Sequence, residues 1–187
     1  MKILLLFFLA TFVAFSQTVE YHVDKSASNV VKFISDAPIE NFEGVTSNID
    51  GYLIHRSNDV TATSSLYFEV DLRTLDTGIG LRNRQMRDDY LHTDKFPMAK
   101  FTGRIVSASE AGVGHNVTVR GVMDIHGVKK PMEITGSLAP SGSRLRLRSS
   151  FEVKLGDHDI EIPRFMFLKI DETMKLELDY YLIKVKG

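Results

Sequence analysis

The sequence contains no cysteine, so it offers no disulfide bond, no thiol nucleophile and no cysteine to carry a lipid anchor. Packing and strand pairing must therefore supply its stability. It also lacks an excess of charge of either sign, because 23 Lys and Arg stand against 24 Asp and Glu, a formal net charge of -1. Such a balance lacks the excess of basic residues that binds nucleic acid, so we expect no nucleic-acid partner.

Catalytic signatures are missing as well. There is no Gly-x-Ser-x-Gly elbow and no His-Glu-x-x-His spacing among the six histidines. The one compact cluster, Asp-His-Asp at 157–159, favours a polar hairpin turn between strands ending at Leu155 and beginning near Ile160 over a divalent-ion site. His126 stands beside a glycine and is interpreted as a turn residue that caps backbone groups. We therefore expect no enzyme activity, no cofactor and no metal.

An apolar run covers residues 3–15 behind a single lysine, and the small residues Ala14 and Ser16 follow the pattern that a signal peptidase prefers. We expect residues 1–16 to be a signal peptide cleaved near Ser16, and the protein to be periplasmic or secreted, in a bacterial envelope. The alternative, a buried amphipathic helix, lacks a polar face. The run is shorter than the ~20 residues that span a bilayer, so no stable membrane insertion is expected. Residues 17–187 then form one domain.

Strict alternation of apolar and polar residues dominates the rest of the chain. In residues 65–72 the even positions are large and apolar while most odd positions are polar, which is typical of a strand with one buried face. The pattern recurs about eight times between short polar turns. We therefore predict an all-β meander that forms a barrel or a sandwich.

Residues 79–92 break the alternation. They place Ile79, Met86 and Tyr90 seven and four residues apart, which predicts a short helix. A helix inserted into a β meander is expected to plug one end of a barrel or to cover an edge. That position is also where the mouth of a ligand cavity would lie.

Three patches carry a family resemblance: residues 21–30, residues 75–101, and residues 123–132, which read Met-Asp-Ile-His-Gly-Val-Lys-Lys-Pro-Met. In this order they resemble the YceI-like family. The resemblance implies an extended lipocalin-like, eight-stranded antiparallel barrel with one short helix. It also implies that a polyisoprenoid or another long-chain amphiphile binds inside.

The size of the inward residues decides whether such a barrel is hollow. Gly103, Gly121, Gly136 and Ser149 share strand faces with large apolar residues, and small residues opposite large ones would leave a channel. A solid core whose glycines ease the barrel corners is the alternative, and the resemblance favours the cavity. The expected lining residues are Phe33, Leu66, Phe68, Val70, Phe101, Val119, Gly121, Met123, Leu147 and Phe151.

Arginines on the predicted helix are candidates for holding a polar head group. If the helix caps the mouth, Arg84 and Arg87 could bind a phosphate or quinone oxygen of a ligand whose tail enters the cavity. The alternative is a solvated helix face. A second group, Arg144, Arg146 and Arg148, forms an outward stripe on one strand, for which a solvated face is weighed against a patch for anionic lipid.

Together with these patterns, the resemblance to the YceI-like family implies an exported carrier that sequesters a polyisoprenoid, an isoprenoid quinone or a fatty-acid derivative and performs no chemistry on it. The alternative is a non-enzymatic envelope module with a solid barrel, which binds a protein or glycan through its loops. The sequence leaves open whether two barrels pair as a homodimer.

Overall fold

The computed structural model describes residues 17–36, 41–56, 59–162, 164–165, 168–169 and 171–186. The predicted signal peptide, residues 1–16, lies outside the described residues. Within the described part, the strands are β1 Thr18–Val23, β2 Val30–Ser35, β3 Phe42–Thr46, β4 Ile49–Arg56, β5 Ser65–Asp71, β6 Met98–Ala111, β7 Gly114–Ile125, β8 Val128–Ser141, β9 Arg144–Lys154, β10 Arg164–Phe165, β11 Leu168–Lys169 and β12 Thr173–Lys186.

Eight of these strands close into an antiparallel barrel in the order β1-β4-β5-β6-β7-β8-β9-β12, and β12 pairs back with β1. The last strand is long enough to serve two neighbours along one edge. Its first part, Met174 to Asp179, pairs with β2, and its last part, Leu182 to Lys186, pairs with β1. The β2–β3 hairpin therefore extends the barrel wall at one end. The predicted all-β, eight-stranded antiparallel barrel is confirmed.

The alternation of the sequence appears directly in the burial of the strands. In β4 the residues Ile49, Gly51, Leu53 and His55 are buried, while their neighbours along the strand are partly or fully exposed. Successive side chains of a strand point to opposite faces, so one face of β4 enters the barrel. The strands with clear alternation are therefore the ones that build the wall.

One end of the barrel is filled by large side chains, and we call this end the floor. The floor residues are at most 6% exposed and comprise Val23, Leu53, Ile105, Leu138 and Leu182. Burial of one such side chain contributes about 1.5–3 kcal/mol to stability. Interior side chains thus close the barrel at this end.

The opposite end carries the helix, and we call it the mouth. Helix α1, Gly80–Gln85, continues into a π-helical turn, Met86–Tyr90, so the predicted helix is confirmed at this position. The helix start is held by Asn83, whose carbonyl oxygen accepts from the Thr77 backbone N–H and hydroxyl and whose amide donates to Asp76. None of the helices in the described part is long and apolar enough to cross a membrane.

The segment after β9 differs from the prediction. Residues Leu155–His158 form a 3-10 turn, Asp159 is left-handed with φ 53°, and no strand begins at Ile160. The cluster at 157–159 is therefore a turn, but it is not wholly polar and exposed, because His158 is only 2% exposed. The ring of His158 is held by a hydrogen bond that sequence reasoning had no means to assign.

Candidate functional site

The barrel encloses a cavity of about 670 Å³ between the floor and helix α1. This volume lies within the range of small-molecule sites, which is about 300–1,000 Å³. Nine of the ten predicted lining residues face it, namely Phe33, Leu66, Phe68, Val70, Phe101, Val119, Met123, Leu147 and Phe151. The interior is therefore hollow, contrary to the alternative of a solid barrel.

Gly121, the tenth predicted residue, does not line the cavity. It pairs with Gly103 across β6 and β7, and the ring of Phe101 lies over both glycines, 2.7 Å and 3.1 Å from where their Cβ atoms would stand. The ring fills the space that the glycines leave. These two glycines allow a large side chain to pack flat against the wall, whereas Gly136 and Ser149 do border the cavity.

Several lining residues were missed because they lie outside the strands or close to their ends. They are Phe42, Leu72, Leu75, Leu91, Leu155 and Ile160. The signal that could have found the helical ones was present, since Ile79, Met86 and Tyr90 were placed on one helix face and all three line the cavity. In the part of the chain that the structure describes, the mouth is thus lined mainly by apolar side chains.

The two predicted head-group arginines lie on the helix but do not line the cavity. Arg84 is exposed, and Arg87 donates a hydrogen bond from its guanidinium to the Arg73 carbonyl at 3.0 Å. Among the described lining residues the arginine is Arg82, whose guanidinium carbon lies 4.7 Å from the centre of the Phe42 ring. The spacing accounts for this, because Arg82 follows Ile79 by three residues and shares its helix face.

The charges around the cavity are confined to the mouth. Among the described lining residues the charged ones are Arg82, Lys100 and Glu161, on α1, near the start of β6 and after the 3-10 turn. The outward stripe predicted on β9 is partly neutralised, since Arg144 pairs with Asp24 at 2.5 Å and Arg146 pairs with Asp179 at 2.5 Å. These ion pairs indicate that Arg144 and Arg146 help to hold the barrel wall together.

The barrel wall forks near the mouth. The β8–β9 ladder runs from the pair Ser141 and Arg144 to the pair Gly136 and Ser149, where it ends. The first half of β8 and the last residues of β9 therefore do not pair with each other. The Ser149 hydroxyl donates to the Thr135 carbonyl at 2.6 Å just past the last pair. The fork is filled by Ile160, which packs in one apolar cluster with residues of β7, β8 and β9.

Three histidines connect the elements of the rim. His158 Nδ1 donates to the Val128 carbonyl at 3.0 Å, and His126 Nδ1 donates to the His158 carbonyl at 3.2 Å. His126 Nε2 is then left to accept from His92 Nδ1 at 2.9 Å. His126 thus caps a backbone group, as its turn position predicts. Within the described residues no group of three or more histidines and carboxylates could hold a metal ion.

The fold and the cavity define a class of protein, the lipocalin-like antiparallel barrels that enclose an apolar site. Within that class the chain belongs to the YceI-like family, whose domain model matches residues 21–182. A curated relative, a UPF0312 protein of Photorhabdus laumondii, is 28% identical over 107 residues. That match covers 54% of this chain and 54% of the relative, so the chain spans about half the length of the relative.

Solved structures share the fold at low identity. Burkholderia cenocepacia BcnA has a TM-score of 0.72 and 17% identity, over 86% of this chain and 98% of that chain. A polyisoprenoid binding domain from Saccharophagus degradans, implicated in plant cell wall breakdown, has a TM-score of 0.66 and 15% identity, over 90% and 100%. The Campylobacter jejuni YCEI protein has a TM-score of 0.62 and 14% identity over both whole chains. Together with the family, this fold supports a lipid-binding role.

Proposed function

We propose that this protein is an exported carrier that sequesters one long apolar amphiphile inside its barrel and performs no chemistry on it. The observation that carries the proposal is the apolar cavity of about 670 Å³ that opens beneath α1. Burial of one methylene contributes ~0.8 kcal/mol, so a dozen enclosed carbons contribute on the order of 10 kcal/mol before ordering costs. Binding of this kind needs no polar catalyst.

The ligand class follows from the same walls and from the relatives. A slender apolar chain suits a barrel of eight strands, whose interior holds side chains or one small ligand. The structural relative from Saccharophagus degradans is described as a polyisoprenoid binding domain. A polyisoprenoid, an isoprenoid quinone or a fatty-acid derivative is therefore the proposed cargo, and the apolar run at residues 3–15 supports export to a bacterial envelope.

The proposal is tested by filling the cavity with a side chain. Val119 lines the cavity, whereas Val122 lies on the same strand and is 41% exposed on the outside. Val119→Phe is expected to lower uptake of a long-chain fluorescent amphiphile at least tenfold, while Val122→Phe leaves uptake unchanged. Equal uptake by both variants would show that the amphiphile binds outside the barrel.

The alternation places Gly121 on an inward face, where a phenylalanine would be expected to fill the cavity. Gly121→Phe is nevertheless unsuitable for this test. A Cβ at Gly121 would stand 2.3 Å from the Thr102 carbonyl and 2.8 Å from Gly103 Cα. Backbone atoms would have to move, so loss of uptake would report on misfolding. Native mass spectrometry of protein purified from its own host supplies the complementary measurement, since a retained amphiphile identifies its class by mass.

A further inference from the structure

Among the described lining residues, one polar group stands at the deep end of the cavity, the hydroxyl of Tyr180. Along β12 the residues that line it are Met174, Leu176, Leu178 and Tyr180, and the next inward residue, Leu182, belongs to the floor. Tyr180 is therefore the lining residue of this strand nearest the closed end. Its ring meets Phe68 edge to face, with the ring centres 5.2 Å apart, which fixes the ring against the wall.

The hydroxyl of Tyr180 has no hydrogen-bond partner in the described part of the chain, although the residue is only 2% exposed. Among sealed side-chain oxygens and nitrogens of the described residues, only Ser35 Oγ lacks a partner. Tyr180 Oη is thus unpaired without being sealed, and the space that it faces is the cavity. A buried hydroxyl without a partner is costly, and such groups ordinarily find one.

The chemistry of the floor restricts what that partner is. Burial raises the pKa of Tyr180, so the phenol keeps its proton at neutral pH and remains a donor. The charged lining residues of the described part, Arg82, Lys100 and Glu161, belong to the mouth, so a charged head would lie at the floor without a counterion. Burial of an unpaired charge is strongly unfavourable. An uncharged head with a carbonyl or hydroxyl oxygen avoids that cost.

We infer that Tyr180 is the specificity-determining residue of the cavity and binds, through its hydroxyl, the uncharged oxygen-bearing head of an amphiphile that enters head first. The inference rests on the proposed function and selects among its ligands. An amphiphile with a charged head is expected to bind in the opposite direction, with its tail inside and its head at the mouth. The two classes of ligand therefore differ in whether they contact Tyr180.

The test uses three ligands of equal chain length, dodecan-1-ol, dodecanoate and dodecane, which displace a fluorescent apolar probe from the full-length mature protein. Tyr180→Phe removes only the hydroxyl. It is expected to weaken dodecanol binding about five- to tenfold, as for the loss of one hydrogen bond, and to change the other two less than twofold. The matched control is Tyr181→Phe, since Tyr181 lies on the outer face with the Arg146 guanidinium over its ring.

The outcomes separate this inference from the function on which it rests. Selective loss of dodecanol binding supports the role of Tyr180. Equal loss for all three ligands, or no loss, overturns that role while leaving a carrier with an apolar cavity. Failure of the unmodified protein to bind any of the three overturns the proposed function itself, and the inference with it.

A second measurement checks the inference without a ligand. Because the hydroxyl has no protein partner in the described part of the chain, Tyr180→Phe is expected to leave the urea midpoint of unfolding unchanged or to raise it. A lower midpoint than that of the unmodified protein would mean that the hydroxyl already has a protein partner. That result would overturn the proposed role, whatever the displacement assay gave.

Discussion

At the floor of the barrel Leu53, Ile105 and Leu182 are at most 2% exposed, whereas at the mouth Ile79 and Leu81 leave 47% and 56% of their surface exposed. The two ends also differ in pairing, since the β8–β9 ladder is complete towards the floor and ends at Gly136 towards the mouth. Local stability follows buried apolar contact and protected hydrogen bonds. We therefore expect local opening of the mouth to cost less free energy than opening of the floor.

The largest difference is expected from leucines truncated at the two ends. Leu182→Ala leaves a cavity in the floor and is expected to cost about 2–5 kcal/mol in the free energy of unfolding. Leu81→Ala removes exposed surface and is expected to change it by less than about 0.5 kcal/mol. Urea denaturation of both variants measures the difference. Similar costs would mean that the mouth is packed as firmly as the floor.

A smaller loss is expected at the fork, where the mouth is closed by a turn instead of a ladder. His158→Ala removes a buried ring and its hydrogen bond to the Val128 carbonyl, and the loss of both is expected to cost about 1–3 kcal/mol. It is also expected to speed release of a bound amphiphile through the opened fork. His115→Ala, at an exposed position of β7, is the control and should have little effect on either measurement. An unchanged release rate would limit His158 to a role in stability.

These contrasts also explain what the sequence could predict. Alternation of apolar and polar residues reports which face a strand buries, and it was enough to place Phe68, Val119 and Phe151 in the cavity. It does not report where a ladder stops, because the fork between β8 and β9 depends on residues far apart in sequence. For the same reason it could not show that the Phe101 ring fills the space beside Gly121.

The helix was predictable in position but not in the direction of each side chain. Its apolar face was identified from Ile79, Met86 and Tyr90, and extension of that face by helical spacing would have selected Arg82. The prediction of Arg84 and Arg87 rests on their charge and not on that spacing. The unpaired Tyr180 hydroxyl had no sequence signal beyond the alternation of β12, because a missing partner is a property of the assembled barrel.

Near the floor, an ion pair between Asp24 and Arg144 makes the stability of the protein depend on pH. Asp24 accepts from the Ser26 hydroxyl and backbone N–H and pairs with Arg144, and these contacts lower the pKa of the Asp24 carboxyl. The folded pKa then lies below the unfolded value of about 3.9. The contribution of Asp24 is therefore fully present above that value and is lost as the pH falls through the folded pKa.

Asp24→Asn is expected to lower the urea midpoint of unfolding at pH 7. Between pH 4 and pH 2.5 the midpoint of the variant is expected to fall less than that of the unmodified protein. Midpoints measured across this range test the expectation. Asp157→Asn is the control, since Asp157 is exposed and its carboxylate makes no hydrogen bond in the described part of the chain. If the urea midpoints of the Asp24 variant and the unmodified protein fall by the same amount between pH 4 and pH 2.5, other carboxylates control the acid transition.

The smallest effect is expected at the outer face of the mouth, where charge and not packing is at issue. If Arg84 and Arg87 bound a ligand phosphate directly, each charge-assisted hydrogen bond would contribute about 1.5–3 kcal/mol. The structure places neither at the cavity wall, and Arg87 already donates to the Arg73 carbonyl. Exposed charge pairs contribute only about 0.2–1 kcal/mol. The double variant Arg84→Gln/Arg87→Gln is therefore expected to weaken binding of a prenyl phosphate about fivefold at most.

The corresponding prenyl alcohol separates head-group contact from tail burial, because both ligands have the same tail. Its affinity for the double variant is expected to stay within twofold of that for the unmodified protein. The variant Arg104→Gln/Arg148→Gln removes the same charge from exposed positions on the barrel wall, so it controls for the change in the net charge of the protein. A phosphate-specific loss of a hundredfold, absent from that control, would mean that the head group binds on the outer face of α1. The mouth would then contain a built head-group site, and the contrast with the floor, where Tyr180 supplies the polar contact, would no longer hold.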